Sequence, residues 1–273
     1  MTATDTHAAT NTTHQADSTA GTTADAPLAG CAALVTGASS GMGAATARAL
    51  ARQGAALALV ARRTERLEEL ATAIRDQGGM CLTLTADLRD ATQARRAVEE
   101  AADRLGRLDV LVNSAGYVTL GPVEQSDPDD LEQMVDLNFT TVLHTSQAAL
   151  PHLLRAAADG PRAVADIVNI SSVAGRRARK NLGVYSATKH ALGAFSEALR
   201  QEVTGRGVRV GLIEPGFTAT EMTTGTKLAA ASGLPQDAWL QAEDIARSIT
   251  FMITQPRHAA INEIMLRPTA SED

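Results

Sequence analysis

The sequence predicts an α/β domain built on one doubly wound, seven-stranded parallel sheet, and three observations predict it. Seven short apolar runs recur along the chain: CAALVT (31–36), AALALVA (55–61), MCLTLTA (80–86), LDVLVN (108–113), VADIVNI (164–170), VRVGLIE (208–214) and INEIML (261–266). Between them lie Ala-, Arg- and Glu-rich stretches with apolar residues at three- and four-residue steps. In ERLEELATAIRDQ, for example, Leu67, Leu70 and Ile74 share one helix face. The first strand-to-helix junction is rich in glycine. Continuously apolar strands alternating with amphipathic helices describe a parallel sheet covered on both faces and wound by right-handed crossovers.

The chain has 273 residues, 44% of them hydrophobic and 21% charged, which suits a globular protein with a full-sized core. The composition divides it into an N-terminal extension over 1–29 and a single catalytic domain over 30–273. The extension is made largely of Thr, Ala and Asp, contains no Lys or Arg and has no apolar run, so it is expected to be disordered, with His7 and His14 solvated. It lacks the basic start and apolar stretch of a signal peptide, and no run of about eighteen apolar residues occurs anywhere. These features lead to the expectation of a cytoplasmic protein without a membrane partner. A formal net charge of −6 and only 3% aromatic residues likewise argue against a nucleic-acid partner. The cysteines, Cys31 and Cys81, fall in strand segments and read as free core thiols, not as metal ligands.

Strand one ends in Thr36-Gly37-Ala38-Ser39-Ser40-Gly41-Met42-Gly43, and the helical AATARAL follows directly. Glycines there allow a tight turn and close approach to a pyrophosphate, and the helix N-terminus offers free N–H groups to that anion. Glycine-rich turns are common, but this one occupies the junction a dinucleotide loop requires, which makes the sheet Rossmann-type. Gly37, Ser39, Ser40, Gly41, Met42 and Gly43 are therefore candidate cofactor contacts.

Strand two ends about twenty residues later, where an NAD site would place an acid on the ribose 2′-hydroxyl. The sequence has Arg62 and Arg63 instead, and guanidinium groups there suit the 2′-phosphate of NADP(H). The competing reading is a solvated helix start. After strand three, Asp87 with Leu88 is a candidate adenine contact. After strand four, Asn113-Ser114-Ala115-Gly116 should flank the cofactor, with Asn113, Ala115 and Gly116 as contacts. Strand-end turn chemistry is the plainer alternative for both segments.

Strand five closes on NISSVAG, where Ser172 could hold a carbonyl oxygen. In the helical VYSATKHALGAFSEALRQEV that follows, Tyr185 and Lys189 are four apart and so share a face. A tyrosine of pKa about 10 is a poor base at neutral pH, and a neighbouring ammonium is expected to lower that value. After strand six, residues 216–240 look irregular and read as a lid or binding segment, with Met222, Leu228 and Trp239 either lining it or simply packed.

From about residue 28 onward the chain resembles the short-chain dehydrogenase/reductase family. TGxxxGxG is present as Thr36 to Gly43, NNAG as Asn113-Ser114-Ala115-Gly116 with a serine in its second place, and YxxxK as Tyr185 to Lys189. The resemblance implies a catalytic set of Ser172, Tyr185, Lys189 and Asn138, the last in VDLNFTT, and a nicotinamide-contacting segment with Pro215, Gly216, Thr218 and Thr220. It favours Ser172, thirteen residues before the tyrosine, over Ser171. Tyr185 would protonate the carbonyl oxygen of a small substrate as hydride arrives from NADPH, or run the reverse. Lys189 would bind the nicotinamide ribose, Ser172 would orient the substrate and Asn138 would hold a water in the proton relay. The family also implies a homotetramer. Longer phrases such as LVARR, GPVE, ALPHLL and NEIMLRPT are similar to clavulanate dehydrogenases and bacterial 3-hydroxy acid dehydrogenases, implying an aldehyde or β-keto acid reduced with NADPH, or a 3-hydroxy acid oxidised.

Arg176-Arg177-Ala178-Arg179-Lys180 adjoins the serine and could attract a carboxylated substrate, although runs of charge usually face water and that reading is preferred. Three other classes compete with the reductase, one of them a plain interaction scaffold, which would leave the whole constellation as coincidence. A sugar-nucleotide epimerase would share the Tyr–Lys pair but carry a TGxxGxxG loop and a larger substrate domain. A catalytically silent NADP-binding regulator would have lost one of Ser172, Tyr185, Lys189 or Asn138, and all four are intact.

Overall fold

The computed structural model describes residues 1–2 and 26–271. The expected disordered extension lies mostly outside the described residues. At its end the boundary moves, because Leu28 is fully buried and its N–H donates to Gln53 O at 2.9 Å. Packing against the domain thus precedes residue 30.

The seven expected strands form one wholly parallel sheet. They are β1 (Ala32–Thr36), β2 (Ala56–Ala61), β3 (Cys81–Thr85), β4 (Val110–Asn113), β5 (Ala165–Ile170), β6 (Val208–Pro215) and, past two short strands named below, β9 (Glu263–Leu266). Their order is β3-β2-β1-β4-β5-β6-β9. Side chains alternate between the faces. Ala33, Val35, Leu57 and Leu59 point to one layer, formed by α1 (Gly41–Arg52), α2 (Thr64–Arg75) and α8 (Ala242–Ile253). Leu34, Ala58, Val60 and Leu111 point to the other, formed by α3 (Ala91–Leu105), α5 (Thr141–Asp159) and α6 (Gly183–Val203). Both faces are covered, which is why strands such as AALVT show no polar alternation.

The last strand departs from the continuously buried pattern. β9 is an edge strand paired only with β6, and its residues alternate between exposed and partly buried. The segment 216–240 is also more ordered than expected. It holds the paired strands β7 (Thr218–Ala219) and β8 (Leu240–Gln241) and the short helix α7 (Lys227–Ala231). Trp239 belongs to its packing: it is buried, with its ring 5.9 Å from that of Phe217 and tilted by 39°.

A feature without a sequence signal separates α4 (Pro128–Val135) from α5, where Asp136–Thr140 forms a π-helical turn. At the N-terminal ends of the strands, buried Asp166 accepts from Arg209 Nε at 2.7 Å and pairs with Arg162 at 2.9 Å. Asp109 likewise accepts from Arg107 and from the N–H of Ala32. These networks lie at the opposite end of the sheet from the glycine loop.

Candidate active site

Strand order reverses between β1 and β4, and in open parallel sheets the crevice beyond such a reversal is where ligands sit. One side chain joins its two lips. Thr36 Oγ accepts from the N–H of Ser114 at 3.0 Å and of Ala115 at 3.1 Å. The neighbouring Gly37 has φ +65°, and a Cβ there would lie 2.8 Å from the backbone of Ala115. Only glycine lets the two loops approach so closely.

Gly37, Ser39, Ser40, Gly41, Met42, Gly43, Arg62, Arg63, Leu88, Ala115, Gly116 and Thr220 all border the cavity above this junction. Arg63 donates to Ser40 Oγ at 2.7 Å and to Ser39 Oγ at 3.2 Å, so arginine and hydroxyls already converge on one point. A glycine-lined turn at a helix start, followed by a hydroxyl–guanidinium cluster, is a donor set that fits a dinucleotide with a phosphate near the second strand.

Two expected contacts are placed differently. Asn113 does not face the cavity. It is buried, donating to Asn169 Oδ1 at 2.8 Å and accepting from Thr145 Oγ at 2.7 Å, so it ties β4 to β5 and α5. The Asp87 carboxylate is taken by Arg89, whose Nη2 donates to it at 2.6 Å, and that bond holds its pKa below the usual carboxylate value. Ala86 and Leu88, on either side, border the cleft instead.

A second cavity of about 310 Å³ adjoins the first and contains Ser172, Tyr185, Pro215, Gly216, Thr218 and Thr220 in its wall. Ser172 caps the turn Val173–Gly175, accepting from Ala174 N–H at 3.1 Å, which fixes its hydroxyl at the cavity. The Tyr185 side chain shares this cavity wall with it, and the serine hydroxyl favours the ionised phenol. Ser171 also borders this cavity, but its hydroxyl donates to Lys189 O at 3.3 Å.

Tyr185 and Lys189 share the expected face of α6, with Lys189 Nζ 5.7 Å from the phenol ring centre. The expected lowering of the tyrosine pKa is not produced by this arrangement. Burial pushes the phenol up, and the Ser172 hydroxyl opposes that shift. Lys189 is itself buried, which pulls its pKa down from 10.5 to about 8, and its ammonium donates to Ile170 O at 2.8 Å.

Asn138 occupies the π-helical turn and is buried behind Gly116. Its Oδ1 accepts from Tyr117 N–H and its Nδ2 donates to Tyr117 O, both at 2.8 Å. Both ends of the amide engage the backbone of Tyr117, and Nδ2 also donates to Thr188 Oγ1 at 3.3 Å, so the side chain positions the loop after β4 against α6. A Cβ at Gly116 would lie 2.9 Å from Asn138 Oδ1, which explains the glycine.

Sequence reasoning missed two groups of site residues. Glu221 borders the cofactor cavity and pairs with Arg63 at 2.8 Å. Arg267, just past β9, joins Lys180 in the second cavity. Neither has a motif around it, and tertiary contact alone brings them in. Of the apolar candidates, Met222 and Leu228 do line the second cavity. Among the described residues no helix is long and apolar enough to cross a membrane, and no group of three or more His, Cys, Asp or Glu side chains could hold a metal.

Comparison with known proteins gives consistent results. Residues 31–230 match the short chain dehydrogenase family model. Glycine betaine reductase of Emericella nidulans is 40% identical over 89% of this chain, which spans only 19% of that protein's length. An uncharacterized oxidoreductase of Staphylococcus epidermidis is 34% identical over 86% of this chain and 96% of its own. Among solved structures, a short chain dehydrogenase from Burkholderia cenocepacia in complex with NADP is 30% identical, with a TM-score of 0.78, covering 89% of this chain and 98% of that one. Carveol dehydrogenase from Mycobacterium avium in complex with NAD is 26% identical, with a TM-score of 0.80 and the same coverage. With a family match over most of its length and a shared seven-stranded sheet, the chain belongs to the short-chain dehydrogenase family of oxidoreductases.

Proposed function

We propose that this protein is an NADP(H)-dependent carbonyl reductase in which Tyr185 is the proton donor. The observation that carries the reading is that Tyr185 and Ser172 line one cavity, which adjoins the glycine-lined one. A reduced nicotinamide, when bound, supplies a hydride. Ser172 then orients the carbonyl oxygen, and Tyr185 gives it a proton. Lys189 supports the site as a buried ammonium one helical turn from the phenol and would bind the nicotinamide ribose. Preference for NADP over NAD rests on Arg62 and Arg63, with Ser39 and Ser40 as further donors to a 2′-phosphate.

The substrate is a small aldehyde or ketone, or the matching alcohol in the reverse direction. The similarity of the longer sequence phrases to clavulanate and 3-hydroxy acid dehydrogenases points to an aldehyde or β-keto acid. A homotetramer is the expected assembly, checked by light scattering. The deciding experiment is NADPH consumption by the purified protein against aldehydes, ketones and β-keto acids, with Tyr185→Phe as control. Turnover lost in the variant supports the reading. NADPH binding without turnover of any compound favours the regulator.

A further inference from the structure

Among the described residues, the charged lining of the second cavity has a single sign. Arg179, Lys180 and Arg267 border it, and among the described residues no carboxylate does. The cations come from two distant segments, the loop after β5 and the end of β9, so a local run of charge does not explain the convergence. The members of the Arg176–Lys180 run also have different roles. Arg176 is committed to structure: its Nε donates to buried Glu214 at 2.6 Å, and its Nη2 pairs with Glu263 of the edge strand. Arg179 has a partner within the chain. Lys180 and Arg267 have no hydrogen-bond or ion-pair partner among the described residues, yet both face the same cavity.

The same wall that holds these cations and the Ser172–Tyr185 pair is largely apolar, with Leu120, Leu182, Phe217 and Leu228. A cleft lined by one sign of charge concentrates ions of the other sign. A guanidinium and an ammonium together match a carboxylate, the first as a planar fork and the second as a point charge.

We propose that the substrate carries a carboxylate in addition to its carbonyl, and that Lys180 and Arg267 hold this carboxylate while the carbonyl meets Ser172 and Tyr185. The inference rests on the reductase reading above and narrows its substrate class. The carboxylate takes no part in the chemistry. Hydride from NADPH bonds to the carbonyl carbon, the Tyr185 proton goes to the carbonyl oxygen, and NADP⁺ and a hydroxy acid leave. A trimethylammonium compound finds no counter-charge in this lining and should be a poor substrate.

The test uses matched pairs on the full chain, wild type and K180Q/R267Q. With NADPH, succinic semialdehyde should exceed its methyl ester in kcat/KM by about tenfold or more, and in the variant the ratio should fall toward one. Added salt should shrink the wild-type preference, because both cations are exposed. Calorimetric binding of hexanoate against hexanamide gives a readout that needs no turnover. Wild-type protein should favour hexanoate, and the variant should not. Equal binding of hexanoate and hexanamide by the wild type, or a preference unchanged in the variant, overturns the proposed carboxylate site. A hexanoate preference abolished by K180Q/R267Q, with no carbonyl compound reduced, would instead keep the anion site and overturn the reductase reading.

Discussion

Arg63 and Glu221 meet across the mouth of the cofactor cavity, Nη1 to Oε2 at 2.8 Å, although 158 residues separate them along the chain. Both side chains are about half exposed, at 47% and 52%, so the pair itself adds little stability. Its significance is positional. The guanidinium that bonds Ser39 and Ser40 on one side is held by a carboxylate from the loop after β7 on the other.

Replacing Arg62 and Arg63 with alanine should weaken NADPH by about ten- to a hundredfold, the range of charge-assisted bonds, and NADH much less. Glu221→Gln should act in the opposite direction and tighten NADPH, because a 2′-phosphate must compete with that carboxylate for Arg63. Fluorescence titration of both cofactors checks this. Equal losses for NADPH and NADH in the double variant would reduce the arginines to a solvated helix start.

Tyr185→Phe should lower turnover by about 10²- to 10⁴-fold, the usual contribution of a general acid, and leave NADPH affinity largely intact. The assignment fails if the variant keeps wild-type kcat. Ser171→Ala, by contrast, should chiefly affect stability, since that hydroxyl bonds the backbone of Lys189.

The direction of the reaction should depend on pH. Burial keeps the Tyr185 phenol protonated above its ordinary range, the form that reduction needs. Reduction should therefore stay flat through neutral pH and fall only in alkali, while alcohol oxidation should climb with pH. Rates measured in both directions from pH 6 to 10 test the assignment, and opposite slopes would contradict it.

Lys189 makes a separate prediction about stability. Its pKa lies at about 8 when folded and at 10.5 otherwise, so between those values the unfolded chain binds more protons than the folded one. Stability contributed through Lys189 should therefore rise with pH across that window and be flat below it. Urea unfolding of wild type and Lys189→Met should differ by an amount that shrinks as pH rises from 8 to 10.5.

Arg209→Met should cost about 3–5 kcal/mol, because it strips a partner from buried Asp166. Thermal unfolding would show it. NADPH-binding geometry at the other end of the sheet should survive in the folded fraction.

All seven strands were legible because a sheet covered on both faces writes continuous apolar runs, and only the two edge strands, β3 and β9, blurred that pattern. The glycine loop was legible because steric exclusion at Gly37 allows few other residues. Tyr185 and Lys189 were legible from helical spacing. Asn113 misled because a polar residue at a strand end looks the same whether it faces a ligand or a buried neighbour such as Asn169. The acidity of Tyr185 misled for a related reason: spacing shows that an ammonium is near, but not how much water has been removed. Glu221 and Arg267 were out of reach because only chain folding places them at the site.

Met42, Thr220 and Met222 border both cavities, so the two share one partition. A dinucleotide resting on the glycine loop would become part of the floor on which the carbonyl compound lies. The enzyme should then follow a compulsory order, with nucleotide first on and last off. Product-inhibition patterns would show NADP⁺ competing with NADPH, and the alcohol not competing with NADPH.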